Sequence, residues 1–472
     1  MIQATLNEVA AWCGAAGISA RDADAAGVRR IAGASTDSRS TAAGQLFVPL
    51  AGDRFDGHDY LAEAEAAGAA AALWQADRPA PETALPLVRV PDTLAALQAL
   101  AARYLASWNP RVVGVTGSNG KTTTKDLIAS VLATTYQVVK TESNFNNHIG
   151  LPLTILRADP AAEVLVLEMG MSARGEIALL AGIAPPDAAV ITNVGESHLL
   201  QLGSRRNIAR AKLEIAEGLK PGGTLVYYGD EPLLREELAA LNLPAGRLRA
   251  VTFGEDAGDD LRAARIDVRP DGVTFALAGD EAREPFELSI PGRHNAINAL
   301  AAIAVGRLFG VPEAQIADGL RSAALTGMRI ERTAAWNGAL VLNDAYNASP
   351  TSMRAAIDLV ARLGGFRRKW LVLGDMLELG PDEAEFHAGI GRELSSDRVD
   401  GLFAFGPLSA HTADAAKARL PEGAVRHFAD KGELADAVLQ ALAPDDLVLV
   451  KASRGMRLEE VVRRLRQGTG GN

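Results

Sequence analysis

The chain holds a single cysteine, Cys13, so no disulfide can form within it and a reducing compartment is expected. No apolar run approaches the ~20 residues needed to cross a bilayer. The first residues, Met1 to Glu8, also lack the basic-then-apolar order of a signal peptide. A cytoplasmic protein without membrane insertion is expected. Surplus positive charge is absent too: 48 Lys and Arg against 58 Asp and Glu give a formal net charge of −10. That balance argues against bulk binding of nucleic acid or anionic membranes, so a phosphate ligand must be held by local features. There is no internal repeat and no low-complexity segment beyond alanine-rich helices. Nothing demands self-association, and a monomer is expected.

What the chain does have is apolar material, 48% of its residues, spread over 472 positions. That is too long for one core, so two to four domains are expected. Residues 1 to 108 mix short helices with a strand-like Gln45 to Leu50 and end in an alanine-rich helix from Asp92 to Trp108, which Asn109-Pro110 breaks. From Arg111 to about Leu325 apolar strands alternate with helices, most clearly at Ala162 to Leu167, Ala188 to Asn193 and Gly223 to Tyr228. Alternation of this kind predicts a mostly parallel sheet covered by helices. Within it, Pro270-Asp271-Gly272 marks a turn between antiparallel strands. A third series has strands near Ala339 to Leu342, Lys369 to Leu373, Gly401 to Phe405 and Asp446 to Val450. The simplest account is an α/β protein of three domains, over residues 1–108, 109–325 and 326–472.

The most informative stretch runs from Val112 to Thr124. An apolar strand, Val112 to Val115, stops at Thr116-Gly117-Ser118-Asn119-Gly120-Lys121-Thr122-Thr123, and an amphipathic helix follows. Free N–H groups at a helix start, with the positive end of its dipole, suit a polyphosphate, to which Lys121 adds a mobile charge. Thr122 is placed to ligate Mg²⁺. The fit to the general phosphate-loop pattern is partial, because Val115 stands where a first glycine belongs. A plain strand-to-helix turn is the alternative, and the flanking strand and helix weigh against it.

Ligands collect at the carboxyl ends of strands in such sheets. Glu168, His198 and Asp344 follow apolar runs. A carboxylate there suits Mg²⁺, though it also suits a helix cap. His148, His294, His387, His411 and His427 are read as structural. Lys212 is unusual, because on a helix from Arg205 to Leu219 it shares one stripe with Ile208, Ile215 and Leu219. Either its amine snorkels to water, or it is desolvated with a depressed pKa, able to react with CO₂ to give an anionic carbamate. Asn295 and Asn298, three apart at the start of a helix, could read a base edge or cap the helix. Ser349 and Pro350 read as N-cap and first helical residue, which leaves Asp344, Tyr346 and Asn347 for ligands.

Taken together, Thr116 to Thr122, Glu142-Ser143-Asn144-Phe145-Asn146-Asn147-His148-Ile149-Gly150, Leu167-Glu168-Met169-Gly170, Ala211-Lys212-Leu213-Glu214 and Gly292-Arg293-His294-Asn295 closely resemble the Mur ligases. The resemblance covers essentially the whole chain. Within the family, Phe47 to His58, Asp344 to Pro350 and Leu373-Gly374-Asp375-Met376-Leu377-Glu378-Leu379-Gly380 are similar to the members that add D-alanyl-D-alanine to UDP-N-acetylmuramoyl-tripeptide. Ser35 to Arg39 is shared with the MurE branch, but the Asp-Asn-Pro-Arg element of that branch is absent. Asn343 and Ala345 depart from the family pattern, as neighbours of Asp344 and Tyr346.

The resemblance implies a UDP-sugar domain, a central ATP-binding domain built on a phosphate-loop parallel sheet, and a C-terminal Rossmann-like domain. It implies that Gly117, Ser118, Asn119, Gly120, Lys121, Thr122 and Thr123 hold ATP, with Asn295 and Asn298 at adenine and Arg329 and Asp344 reaching over from the domain junction. Thr122, Glu168, His198 and Lys212 as its carbamate would hold magnesium, with Lys121, Lys212 and His198 serving the chemistry. Ser35, Asp37, Ser38 and Arg39 would bind the uridine diphosphate, and Asn144, Asn146, Asn147, Tyr346 and Asn347 the peptide substrates. The implied reaction passes through an acyl phosphate that the amine of D-alanyl-D-alanine attacks. A contrasting reading is an ATP-driven switch, and a nearer one is another ligase of the superfamily, such as folylpolyglutamate synthase or MurE.

Overall fold

The computed structural model describes residues 1–468 except 21, 53, 54, 242, 245 and 281–283. Asp53 and Arg54, part of the Phe47 to His58 signature, lie outside the described residues. Three α/β domains are present, each with its own main sheet. The first has five strands in the order Gly17–Ser19, Leu87–Val90, Ala71–Gln75, Leu46–Phe47 and Ala34–Ser35, parallel except at Gly17–Ser19. The strand expected over Gln45 to Leu50 is only Leu46–Phe47. Pro49 has no N–H to give the ladder, and Leu50 turns away to accept from Gly57 N–H at 2.9 Å.

The second sheet has nine strands. Arg111–Thr116 lies inside it between Ala188–Ile191 and Val164–Glu168, all parallel and in register, with Val138–Lys140 at one edge. The chain crosses from one side of Arg111–Thr116 to the other, so this strand stands at the point where strand order reverses, where ligands gather. Towards the far edge come Gly223–Tyr228, Leu248–Gly254, Leu261–Arg269, Gly272–Leu277 and Phe286–Leu288. Leu261–Arg269 and Gly272–Leu277 are antiparallel about the turn at Pro270-Asp271-Gly272, as the sequence predicts. The third sheet orders Glu331–Ala334, Leu340–Asp344, Leu447–Lys451, Lys369–Gly374, Gly401–Phe405 and Val425–Phe428, parallel beyond the first pair.

The sequence accounts for these elements locally. Asp92 caps Thr93–Trp108 by accepting from Ala95 N–H at 2.7 Å, and Asn109 ends the helix in a left-handed turn. Ser349 caps Pro350–Arg362 with a full capping box. Strands buried on both faces, such as Val164–Glu168, are continuous apolar runs. One apolar core runs unbroken from Ile2 through Leu100 into Leu151 and Leu213, fixing the first domain to the second. The third is tied to the second by buried Asp126, whose carboxylate accepts from Thr326 N–H at 2.8 Å and Thr326 Oγ1 at 2.9 Å.

Candidate active site

The strand Arg111–Thr116 ends at the loop Gly117 to Gly120, and the helix Lys121–Ala133 follows. Two glycines make the loop possible. Gly117 sits at φ +147°, where a Cβ would come within 1.8 Å of Thr192 Oγ1, and Gly120 at φ +77°, where a Cβ would lie 2.8 Å from Asn298 Oδ1. The strand Ala188–Ile191 supports the loop from beside it. After Ile191 the chain leaves the ladder, and Thr192 Oγ1 donates to Asn119 O at 2.5 Å while Asn119 N–H donates to Asn193 Oδ1 at 2.9 Å. His198 therefore does not end a strand, as the sequence suggested. It lies in the following loop at φ +64°, because Thr192 and Asn193 are spent on bracing the glycine turn.

The loop opens into a cavity of about 460 Å³ at the junction of the second and third domains. The whole predicted loop from Gly117 to Thr123 lines it, with Asn146, Asn147, Glu168, His198, Lys212, Asn295, Asn298, Arg329, Asp344, Tyr346 and Asn347. Ser35, Asp37, Ser38, Arg39 and Asn144 do not line it. Asp37 instead binds Arg39 in an exposed turn, with the guanidinium 2.7 Å away, and Ser35 Oγ donates to Asp37 O at 3.0 Å. Two histidines read as structural, His148 and His294, line the cavity. His387 does hold structure, accepting from Met376 N–H at 2.9 Å.

Cations dominate the chemistry. Lys121 Nζ folds back onto the carbonyls of Gly117 at 2.7 Å and Ser118 at 3.3 Å. Burial lowers its pKa, nearby Glu168 opposes this, and Arg329 adds to the lowering. Lys212, on the helix Arg205–Glu217, is 1% exposed, and its amine makes no hydrogen bond or ion pair with any described residue. Snorkelling is thereby overturned: the neighbouring stripe buries the stem and the cavity takes the amine. Burial, then the charge of Lys121, pushes the Lys212 pKa well below its usual range. Lys121 and Arg329, neither paired with a carboxylate, bring positive charge to this cavity of an acidic protein.

Hard oxygen donors sit beside them. Thr122 Oγ1 donates to Glu168 Oε2 at 2.7 Å, and Asn146 Nδ2 donates to Glu168 Oε1 at 2.9 Å, all within the fold. A buried hydroxyl and carboxylate together at this cavity are a donor set that suits Mg²⁺. No cluster of three or more His, Cys, Asp or Glu that could hold a metal occurs among the described residues. His198 Nδ1 lies 2.9 Å from Glu378 Oε2, and burial followed by Lys121 lowers its pKa.

The remaining positions are partly committed. Asn295 Nδ2 donates to Pro291 O at 2.8 Å, while Asn298 lies buried against Gly120. Asn147 Oδ1 accepts from Ile149 N–H at 3.1 Å and Gly150 N–H at 2.8 Å, at the entry to the helix Gly150–Arg157. Asp344 is not free, because Lys451 Nζ donates to its Oδ2 at 2.6 Å and to Asn347 O at 2.9 Å. Sequence reasoning missed Lys451: it lies 107 residues from Asp344, and only the parallel register Asp344↔Lys451 brings them together. A lysine ending the apolar run Leu447-Val448-Leu449-Val450 was the available signal. Arg329 stacks over Tyr346 at 4.2 Å.

Comparison with known proteins gives the same outline. Residues 30–105 match the Mur ligase family catalytic domain, 115–306 the Mur ligase middle domain and 328–454 the Mur ligase glutamate ligase domain. The chain is 49% identical to the UDP-N-acetylmuramoyl-tripeptide--D-alanyl-D-alanine ligase of Bacillus subtilis (strain 168), over 92% of this chain and 93% of that protein. A crystal structure of MurF from Acinetobacter baumannii superposes with a TM-score of 0.87 at 29% identity, covering 99% of both chains. MurF ligase from Thermotoga maritima in complex with ADP superposes with a TM-score of 0.80 at 31% identity, covering 92% of this chain and 97% of that one.

Proposed function

The chain belongs to the Mur ligase family, and we infer on that premise that it is an ATP-dependent ligase joining D-alanyl-D-alanine to UDP-N-acetylmuramoyl-tripeptide in the making of peptidoglycan precursor. The observation that carries the chemistry is the cavity itself, where a glycine turn, two lysines without carboxylate partners, Lys121 and Lys212, and an oxygen donor pair meet between two domains. We place the domain boundaries near residues 108 and 325, and the protein in the cytoplasm as a monomer.

A carboxylate is a poor acyl donor, so the terminal carboxylate of the tripeptide first attacks the γ-phosphorus of ATP, giving an acyl phosphate and ADP. The amine of D-alanyl-D-alanine then attacks the acyl carbon, and collapse of the tetrahedral intermediate expels phosphate and leaves the amide. The loop amides from Gly117 to Thr123 and the Lys121 amine neutralise charge on the moving phosphoryl group. Lys121 must swing from its own loop carbonyls to do so. Asn295 and Asn298 border the adenine, and Arg329 and Asp344, held by Lys451, reach the nucleotide from the third domain. Asn146 and Asn147 border the tripeptide with Asn144, and Tyr346 and Asn347 face the peptide ligands. Ser35, Asp37, Ser38 and Arg39 would receive the uridine diphosphate in the first domain. Closure of the third domain over the cavity keeps water from the acyl phosphate.

Thr122, Glu168, His198 and Lys212 as a carbamate would hold magnesium, which when bound supplies positive charge for the polyphosphate. Lys212 suits that modification because burial favours its neutral amine, the form that adds to CO₂ with release of one proton. The test is ADP release with each co-substrate omitted in turn. Release only with ATP, UDP-muramyl tripeptide and D-alanyl-D-alanine together supports the ligase. Steady release from ATP alone would instead support a switch, and preference for another amine would support another ligase of the family.

A further inference from the structure

One contact between the second and third domains joins His198 to an acid that lies outside the cavity lining. The loop after the strand Lys369–Gly374 carries Glu378, whose carboxylate reaches His198 Nδ1 at 2.9 Å and whose main-chain carbonyl accepts from Leu200 N–H at 3.2 Å. Both partners are strained: Glu378 sits at φ +66° and His198 at φ +64°, left-handed conformations that non-glycine residues adopt only where their surroundings hold them, often at functional sites. Gly380, at φ +81°, supplies the left-handed turn with which the loop runs past Leu200.

Glu378 differs from the acids lining the cavity. Glu168 is taken by Thr122 and Asn146, Glu176 accepts from Ser172 N–H at 2.6 Å, and Asp344 is paired with Lys451. The Glu378 side chain is 51% exposed, and among the described residues it pairs with no lysine or arginine. A carboxylate without a lysine or arginine partner thus lies beside His198, on the third domain. The reaction uses two cations, the magnesium that His198 would help to hold from the cavity side and the ammonium group of the acceptor, and Glu378, outside the cavity lining, is left for the second.

We propose that Glu378 is the docking residue for the amino group of the acceptor dipeptide, exchanging its contact with His198 for the ammonium when the dipeptide arrives. The proposal rests on the ligase reading above and deepens it. It makes Glu378 a determinant of selectivity for acceptors with a free α-amine, and it couples acceptor arrival to release of the contact between Glu378 and His198.

The test uses the full chain. In Glu378→Gln the KM for D-alanyl-D-alanine is expected to rise at least tenfold, with the KM values for ATP and the UDP-muramyl tripeptide within twofold of wild type. The Ki of propionyl-D-alanine, which lacks the ammonium, should stay within twofold, and Glu378→Asp should recover part of the loss. An unchanged dipeptide KM, or equal weakening of dipeptide and propionyl-D-alanine, overturns the proposal. Equal rises in all three KM values also overturn it, since Glu378 would then act only through His198. Wild-type enzyme that fails to use D-alanyl-D-alanine at all sinks the ligase reading itself, a result separate from the others.

Discussion

Replacing Lys212 by Met tests the buried amine without touching the phosphate loop. Lys212 is 1% exposed and has no hydrogen-bond partner among the described residues. Burying a polar group in that way costs about 1–3 kcal/mol. Methionine has similar length and suits a stripe shared with Ile208 and Ile215. The variant should therefore be about 1–3 kcal/mol more stable than wild type at pH 7 in CO₂-free buffer. The sign of the pH dependence follows from linkage. A lysine whose pKa is depressed on folding costs its full penalty below the folded value, and the cost vanishes as pH rises towards its ordinary 10.5. The stability gap should thus narrow with rising pH, by up to about 1.4 kcal/mol per unit. Urea midpoints at pH 7, 8 and 9 measure it, and added bicarbonate should stabilise wild type alone. A gap that ignores pH, or a Met variant less stable than wild type at pH 7, refutes the reasoning. In Lys212→Ala, activity should drop by at least about 10²-fold, the scale of losing one transition-state contact. Acetate or propionate should restore part of it, and a fully active variant would contradict the carbamate.

Gly120→Ala should raise the KM for ATP about tenfold, because a left-handed L-residue costs about 1–2 kcal/mol and the new Cβ would press on Asn298 Oδ1 at 2.8 Å. An unchanged KM would remove the glycine turn from nucleotide binding. Asp259, enclosed between Gly229 and Gly254, is pushed up to about 7 by burial and by Asp230 beside it. A carboxyl raised on folding costs stability as pH climbs from its ordinary value through 7. Asp259→Asn should therefore raise the melting temperature at pH 8 and much less at pH 5, and equal shifts at the two pH values would contradict a raised Asp259 pKa.

Much of the site is legible in the sequence because its parts are local. The strand, glycine turn and helix from Arg111 to Ala133 are contiguous, and a lysine on an apolar stripe marks Lys212 by helical period alone. What escapes is what the third domain brings. Lys451 meets Asp344 only through strand register, and Glu378 meets His198 across 180 residues of chain. Lys125, wholly buried, hides next to Asp126 in a helix turn that looks exposed by composition, and it is satisfied by Thr141 O at 2.7 Å. His148 and His294 read as structural because a lone histidine carries no periodic signal, yet tertiary packing turns both into the cavity.

The central claim is that the γ-phosphoryl group passes to a carboxylate before the amide forms. UDP-N-acetylmuramoyl-tripeptide labelled with ¹⁸O in its terminal carboxylate, incubated with ATP and D-alanyl-D-alanine, tests it most directly. The account predicts that the phosphate released carries one ¹⁸O atom for each amide made, because the attacking oxygen leaves with phosphorus. Phosphate free of label, with amide formed, would contradict it.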